Sequence, residues 1–309
     1  ILKCGPMLKN MLTKQNDLNG WLIIDKPLEM GSTTVVSRLK HALHPDRIGH
    51  AGTLDPLATG VLPIALGQAT KLIPYVMNGE KVYEFQITWG AETETDDAAG
   101  AIVCTSDVRP DPDAVRAVLP RFVGTILQQP PAYSALKING RRAYDLARQG
   151  DTVNLAPRPV RIDELIITAW TPQTADFRVR CGKGTYVRSL GRDIGRALGT
   201  RGFISRLRRV QCGPFSATDA VPLNACIEGV CPTLFPLETA LDTLPIVHVN
   251  ATEARRLAQG QRIPARTLVN PPPIPWPDDT VVRVVCETRL IGLARWRGQV
   301  VHPYRIFCA

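Results

Sequence analysis

The chain has 309 residues, 44% hydrophobic and 21% charged, a balance that supports a buried core and excludes disorder as the overall state. Lysine and arginine exceed aspartate and glutamate by 37 to 28, and the resulting +9 points modestly to a polyanionic partner. No apolar run approaches the roughly 18 residues of a membrane span, so a spanning helix is excluded.

Residues 1–18 carry Lys3, Lys9 and Lys14 without the apolar stretch of a secretory signal, and are expected to be a disordered extension. GWLIIDKP, starting at Gly20, reads as a buried strand ending in a turn. STTVVSRLKHAL, from Ser32, is an amphipathic helix with Val35, Val36, Leu39, Ala42 and Leu43 on one face. Ser32 or Thr33 caps it and Pro45 ends it. VLPIAL is a short strand that Pro63, lacking an N–H, pushes to a sheet edge or bulge. QATKLIPYVM is a short helix bent near Pro74.

KVYEFQITWG alternates, with Tyr83, Phe85, Ile87 and Trp89 on one face, and is a half-buried strand. DAVRAVLPRFVG is helical to about Leu119, and GRRAYDLARQG is a helix stopped by Gly150. DFRVRC is a strand with Phe177, Val179 and Cys181 inward. A GKG turn leads into a helix with Val187, Leu190, Ile194 and Leu198 on its core face. Strands and helices alternate irregularly, without an internal repeat, so residues 19–243 are expected to form an α+β domain. Its central sheet is mixed and mostly antiparallel, with flanking helices. From residue 244 the pattern is LPIVHV, a short helix, the proline-rich NPPPIPWPDD, and then three strands. Residues 244–309 therefore suggest a small β-barrel, the alternative being an extension of the first sheet.

Eight cysteines occur without a Cys-x-x-Cys pair, which favours free thiols in a reducing cytoplasm over a disulfide scaffold or a zinc site. ETETDDAAG packs acids densely but lacks the glycine and terminal glutamate of a calcium loop, and reads as solvated. GKGT fails as a Walker motif, because Ser or Thr does not follow Lys183. What remains is a glycine turn opening a helix, where free amides favour an anion such as a backbone phosphate. His41, His44 and His50 have no ligand spacing; His50 is a candidate substrate contact or a structural histidine.

Asp55 is the sole acid between Gly49 and Lys71, on a Thr-Leu-Asp-Pro-Leu turn. A turn or N-cap aspartate is the ordinary reading of Asp-Pro, but a carboxylate in so apolar a stretch needs a cation or hydrogen bonds to compensate. The context fits neither an aspartic protease nor an aspartyl-phosphate phosphatase. Lys183, Arg188, Arg192, Arg196, Arg201, Arg206, Arg208 and Arg209 face one acid, Asp193, over the same stretch. Arg188, Arg192 and Arg196 recur every fourth residue, a helical stripe suited to tracking phosphates or to plain solvation. Arg188, near the helix start, is the natural partner for Asp55.

Four segments together resemble the bacterial tRNA pseudouridine synthase B family. They are GHAGTLDPLATGVLPIALGQATK, KVYEFQITWG, PPAYSALKINGRRAYDLARQG and CGKGTYVRSLGRDIG, in order between about Gly20 and Gly213. The C-terminal part is similar, more loosely, to that family's RNA-binding PUA domain. The resemblance implies isomerisation of uridine 55 in the tRNA T-loop to pseudouridine, by flipping the base out. It implies Asp55 as the catalytic aspartate and Arg188, in Gly-Thr-Tyr-Val-Arg, as its partner. Tyr83 stacks on the base and is a candidate for taking the C5 proton. Leu207 packs beneath the base and His50 touches the RNA loop. Lys26, of a Lys-Pro pair, together with Lys183, Tyr186 and Arg192 completes the substrate-binding set. It implies a cytoplasmic monomer acting on tRNA with no cofactor, metal or protein partner. Two rival functions remain at this point: a non-catalytic RNA-binding protein on the same scaffold, which would tolerate Asp55→Asn, and an N-glycosidase releasing free uracil.

Overall fold

The computed structural model describes residues 18–138, 140–151, 153–229, 233–268, 271 and 276–307. Almost all of the expected N-terminal extension, and half of the proline-rich connector, lie outside these. In chain order come β1 (Gly20–Lys26), α1 (Ser32–Leu43), β2 (Ile48–His50), β3 (Ala58–Leu66), α2 (Ile73–Asn78) and β4 (Lys81–Trp89). A hairpin, β5 (Ala91–Thr93) and β6 (Ile102–Thr105), precedes α3 (Pro112–Val118) and β7 (Gly124–Gln128). A second hairpin, β8 (Lys137–Ile138) and β9 (Arg141–Arg142), leads to α4 (Ala143–Arg148), β10 (Arg158–Trp170), β11 (Thr174–Cys181), α5 (Val187–Ala197) and β12 (Gly202–Cys212). Short β13 (Phe215–Ser216), β14 (Val221–Pro222) and α6 (Leu223–Ile227) follow. The C-terminal part holds β15 (Ile246–Val249), α7 (Ala251–Ala258), β16 (Ile263–Pro264), β17 (Thr280–Cys286), β18 (Arg289–Arg297) and β19 (Val300–Ile306).

The central sheet runs β14-β1-β3-β12-β4-β11-β10-β7, with β2 added to β3 and β13 to β12. Only the β1–β14 and β3–β12 pairs are parallel, so the mixed, mostly antiparallel α+β sheet is as expected. Strand alternation sorts its side chains. Leu22 and Ile24 of β1 enter one core with Phe85, Ile87, Phe177 and Leu190, while Trp21 and Ile23 enter the opposite core with Val61, Ala65 and Phe215. Phe85 and Phe177 stack across the β4–β11 pair, with centroids 5.3 Å apart. Helix α5 closes on β12 at a glycine: a Cβ on Gly195 would lie 2.8 Å from the Gly202 nitrogen.

Three local expectations are corrected. Pro63 sits inside the sheet, not at an edge, because β3 changes partners beside it. β12 pairs with residues 58–60 and β2 with residues 64–66, while β1 covers the other side from Gly60 to Leu66. The Pro63 carbonyl accepts from Ala51 N–H at 2.9 Å, so its nitrogen faces that same changeover and no ladder donor is lost toward β1. Pro74 does not bend a helix; it occupies the first turn of α2, after a 3-10 stretch from Gly67 to Leu72. The α1 cap is Gly31, without a side-chain bond, so the Ser32 hydroxyl is free for another use.

The C-terminal sheet, ordered β15-β17-β18-β19-β16, curls into a half-barrel over its own core of Val247, Leu257, Val282, Val284, Trp296 and Val301. It also shares a core with the first part: Leu293 and Phe307 pack into the cluster of Trp21, Leu72 and Leu241. Arg305 donates to the Lys71 carbonyl at that seam.

Candidate active site

A cavity of about 520 Å³ opens where β3, β4 and β12 meet the start of α5. Its walls include Asp55, Tyr83, Lys183, Tyr186, Arg188 and Leu207, six of the nine residues singled out from the sequence. His50, Lys26 and Arg192 do not line it.

Asp55 opens a turn: its carbonyl accepts from Ala58 N–H at 3.0 Å, with Pro56 at the second position. Two buried side chains fasten this turn. The Ser32 hydroxyl accepts from Leu54 N–H at 2.8 Å and donates to the Leu54 carbonyl at 2.9 Å. Lys26 is fully buried and its Nζ donates to the carbonyls of Pro27, Met30 and Pro56 at 2.8, 2.5 and 3.2 Å. All its protons are thus directed at backbone, and the expected substrate contact becomes a clamp under the Asp55 turn. Burial lowers its pKa to about 8, opposed by Asp55 and assisted by Arg209.

Arg188 is the partner of Asp55. Its Nε lies 2.8 Å from Asp55 Oδ2 and 3.7 Å from Asp97 Oδ2. The Nε–H is not aligned on either oxygen as a hydrogen bond, so the contact is ionic in character. The guanidinium is aimed by its other end: Nη1 donates to the Thr95 carbonyl and Nη2 to that of Tyr133, both at 3.0 Å. The Arg188 side chain is 6% exposed and that of Asp55 38%, which leaves one face of the carboxylate open to the cavity.

Leu207 and Arg209 alternate onto the cavity from β12, bracketed by irregularities after Ile204 and Arg209. Arg209 is 1% exposed and is shown no carboxylate among the described residues. It donates to the carbonyls of Val61 at 2.8 Å and Gly52 at 2.9 Å, and its charge bears on the Tyr83 phenol. Burial pushes that phenol up to about 12, with Arg209 pulling the other way. Tyr83 is therefore a neutral phenol at rest. His50, on β2, is half buried with an unpaired Nδ1; burial and then Arg209 lower its pKa and keep it neutral.

The arginine stripe and the acidic segment correct each other. Along α5, Arg188, Arg192 and Arg196 meet Asp97, Asp96 and Glu92 in turn. Arg192 Nη1 to Asp96 Oδ2 is 2.8 Å, with both side chains under 10% exposed. In the segment read as a solvated loop, Glu92, Asp96 and Asp97 are buried while Glu94 stays exposed, and the stripe read as a phosphate track is paired with those three buried acids. Arg192 is withdrawn from any open surface. Burial pushes Asp96 up to about 6 against the pull of Arg192. Arg206 and Arg208 are likewise paired, with Asp176 and Asp25. Lys183 keeps an exposed ammonium, bonded to Asn78 Oδ1 at 3.1 Å, at the cavity mouth.

Sequence reasoning missed Gln128, Ser32 and Arg209. Gln128 is 1% exposed and brackets the Tyr186 backbone, accepting from its N–H at 2.8 Å and donating to its carbonyl at 3.1 Å. No local pattern marks a glutamine for contact with a residue 58 positions on. No group of three or more potential metal ligands occurs among the described residues, and no helix among them is long and apolar enough to cross a membrane.

Comparison with known proteins bears on this arrangement. Residues 40–187 match the N-terminal domain of the TruB family pseudouridylate synthases, residues 188–242 the tRNA pseudouridylate synthase B C-terminal domain, and residues 245–307 the C-terminal domain of pseudouridine synthase II TruB. The tRNA pseudouridine synthase B of Bradyrhizobium diazoefficiens is 47% identical over 305 residues, covering 95% of this chain and 87% of that protein. That of Sinorhizobium medicae is 45% identical, covering 95% and 97%. Among solved structures, a Cbf5-Nop10-Gar1 complex contains a chain that superposes with a TM-score of 0.73 at 24% identity, covering 94% of this chain and 85% of that one. An H/ACA RNP bound to a substrate RNA containing 2'-deoxyuridine contains one with a TM-score of 0.72 at 22% identity, with the same coverage. The structural likeness carries the fold; the sequence identity, sustained along nearly the whole chain, carries the kinship: this chain belongs to the TruB family of pseudouridylate synthases.

Proposed function

We propose that this chain converts uridine 55 in the T-loop of tRNA to pseudouridine, with Asp55 as the catalytic carboxylate. One observation carries the reading: a single carboxylate, ion-paired to a buried arginine, faces a cavity of nucleoside size walled by Tyr83 and Leu207. The names of the relatives support tRNA as the substrate. Every residue assigned to the site comes from one chain, which supports reading the protein as a monomer.

The reaction breaks the N1–C1′ bond and forms C1′–C5, while the C5 proton leaves and N1 ends protonated. Substrate and product are isomers, so no electrons are exchanged. The target base is extruded from the tRNA at a cost of a few kcal/mol, and stacking on Tyr83 returns roughly 1–3 kcal/mol. Asp55, ion-paired to Arg188, attacks the electron-poor C1′, attacks C6 of the uracil ring, or removes a proton from the sugar. Tyr83, neutral at rest, serves first as the stacking wall. Its phenolate is the form able to take the C5 proton, and Arg209 is the cation that favours that form.

Tritium release from tRNA labelled with [5-³H]uridine tests the reading, with an assay for free uracil alongside. Release without free base is expected, and carbodiimide-dependent primer-extension stops should map to uridine 55. Free uracil with an abasic site would establish the N-glycosidase instead, and no release would leave an RNA-binding protein.

A further inference from the structure

Arg188 is aimed by a segment it does not belong to. The Thr95 carbonyl and the Asp97 carboxylate, both on the loop between β5 and β6, hold its guanidinium. The β5–β6 hairpin that carries this loop is tied to α5 by two further ion pairs, one from the loop and one from Glu92 on β5, neither of which touches Asp55. In one, Arg192 meets Asp96, and the same guanidinium donates to the Gln129 carbonyl at 3.0 Å. In the other, Arg196 Nε donates to Glu92 Oε2 at 3.0 Å, and Nη2 takes the second oxygen, a two-pronged contact. Asp96 also has φ near +61°, a backbone state that costs an ordinary side chain energy and that aspartate accepts more readily than most. Its carbonyl accepts from Ile204 N–H at 3.0 Å, which joins the loop to β12, the strand carrying Leu207. The three arginines thus divide the work along one helix face: the first serves the reacting carboxylate and the other two hold the loop that steers the first.

We propose that Glu92–Arg196 and Arg192–Asp96 are positioning pairs that set the Arg188 guanidinium against Asp55, and that the Glu92–Arg196 pair does so whichever partner carries which sign. This rests on the activity proposed above. Glu92–Arg196 is the pair suited to reversal, because the Arg196 side chain is 47% exposed and the arginine end meets solvent. Reversal of Arg188 and Asp97 has no such freedom, since Asp55 requires a cation beside it.

The test is a charge-reversal cycle on the full chain: Glu92→Arg, Arg196→Glu, and both together. Each single change places like charges in contact. It should lower kcat by about 10–100-fold through displacement of a catalytic neighbour, with KM for tRNA little altered. The double variant should return kcat to within about threefold of the parent. The ¹⁵Nε–H signal of Arg188 should move in each single variant and return in the double, a readout independent of turnover. Neutral Glu92→Gln, with thermal unfolding of every variant, covers the case in which a reversal fails to fold; it should lower kcat by a smaller factor at nearly unchanged Tm. Single reversals that leave kcat and the Arg188 signal untouched would overturn the proposal. So would a double variant that folds but recovers neither. A parent protein that forms no pseudouridine would instead defeat the activity reading, while the Arg188 signal still reports on the positioning pairs.

Discussion

The Ser32 hydroxyl is bonded twice to Leu54, accepting from its N–H at 2.8 Å and donating to its carbonyl at 2.9 Å. A side chain at the start of α1 thereby satisfies both polar groups of the buried residue before Asp55. Ser32→Ala leaves them unpaired, at a cost of about 1–3 kcal/mol. Chemical denaturation should show that loss. Turnover should fall as well, because the Asp55 turn loses one of its two fastenings. Unchanged stability and activity would contradict this role.

Asp55→Asn should keep the fold and remove isomerisation. The side chain is more than one-third exposed, so amidation costs little packing, while rate should fall by roughly 10²–10³-fold or more. The tritium assay, read beside a melting curve, checks both halves.

Arg188→Ala removes more than the charge beside Asp55. The guanidinium is 6% exposed and bonded to two carbonyls, and its removal leaves Asp97 buried without its cation. Stability should drop by about 3–5 kcal/mol together with activity. Arg188→Lys should recover much of the stability, yet not the rate, because an ammonium lacks the fork that reaches both carbonyls. Full activity in the lysine variant would show that charge alone suffices.

Lys26 gives the molecule a signed response to alkali. Its pKa falls from 10.5 unfolded to about 8 folded, so between those values the unfolded chain holds more protons. Below pH 8 the cost of burying the ammonium is present in full. It is relieved as pH rises from about 8 toward 10.5, so this group makes stability increase across that window. Unfolding free energies of the parent and of Lys26→Met, measured at pH 7 and pH 10, should differ in pH slope by this contribution. Parallel slopes would refute it.

Contacts with RNA phosphates should be carried by Lys183 and not by the α5 arginines. Lys183→Ala should weaken tRNA binding and reduce the slope of log affinity against log salt by about one. Arg192→Ala should leave that slope alone and lower stability, since its guanidinium is buried among Asp96, Asp193 and Gln129. The reverse pattern in salt titrations would restore the phosphate-track reading.

Legibility followed the range of the interactions. The strands of the central sheet were readable because Tyr83, Phe85, Ile87 and Trp89 alternate within one short stretch. Asp55 stood out because a charge without local compensation is unusual, and its need for a cation led directly to Arg188. Burial of the acidic segment was not readable. Sequence gives the sign of Asp96 and the helix face of Arg192, but the two are 96 positions apart, and only the fold sets them together. Read separately, each charged run resembles a surface; placed face to face, they neutralise one another. Arg209 was hidden similarly, counted with its basic neighbours although β12 turns it inward beside Tyr83.

The seam where Leu293 and Phe307 join Trp21, Leu72 and Leu241 makes the C-terminal half-barrel more than a tethered RNA-gripping accessory. Trp21 belongs to β1, next to the strand that leads away from Asp55, so it sits in a core that is completed by side chains contributed more than 270 residues later. Deleting the last sixty-odd residues would strip grease from the back of the catalytic sheet itself. A truncated chain would therefore be expected to melt earlier and clump, even where its reaction chamber is chemically whole.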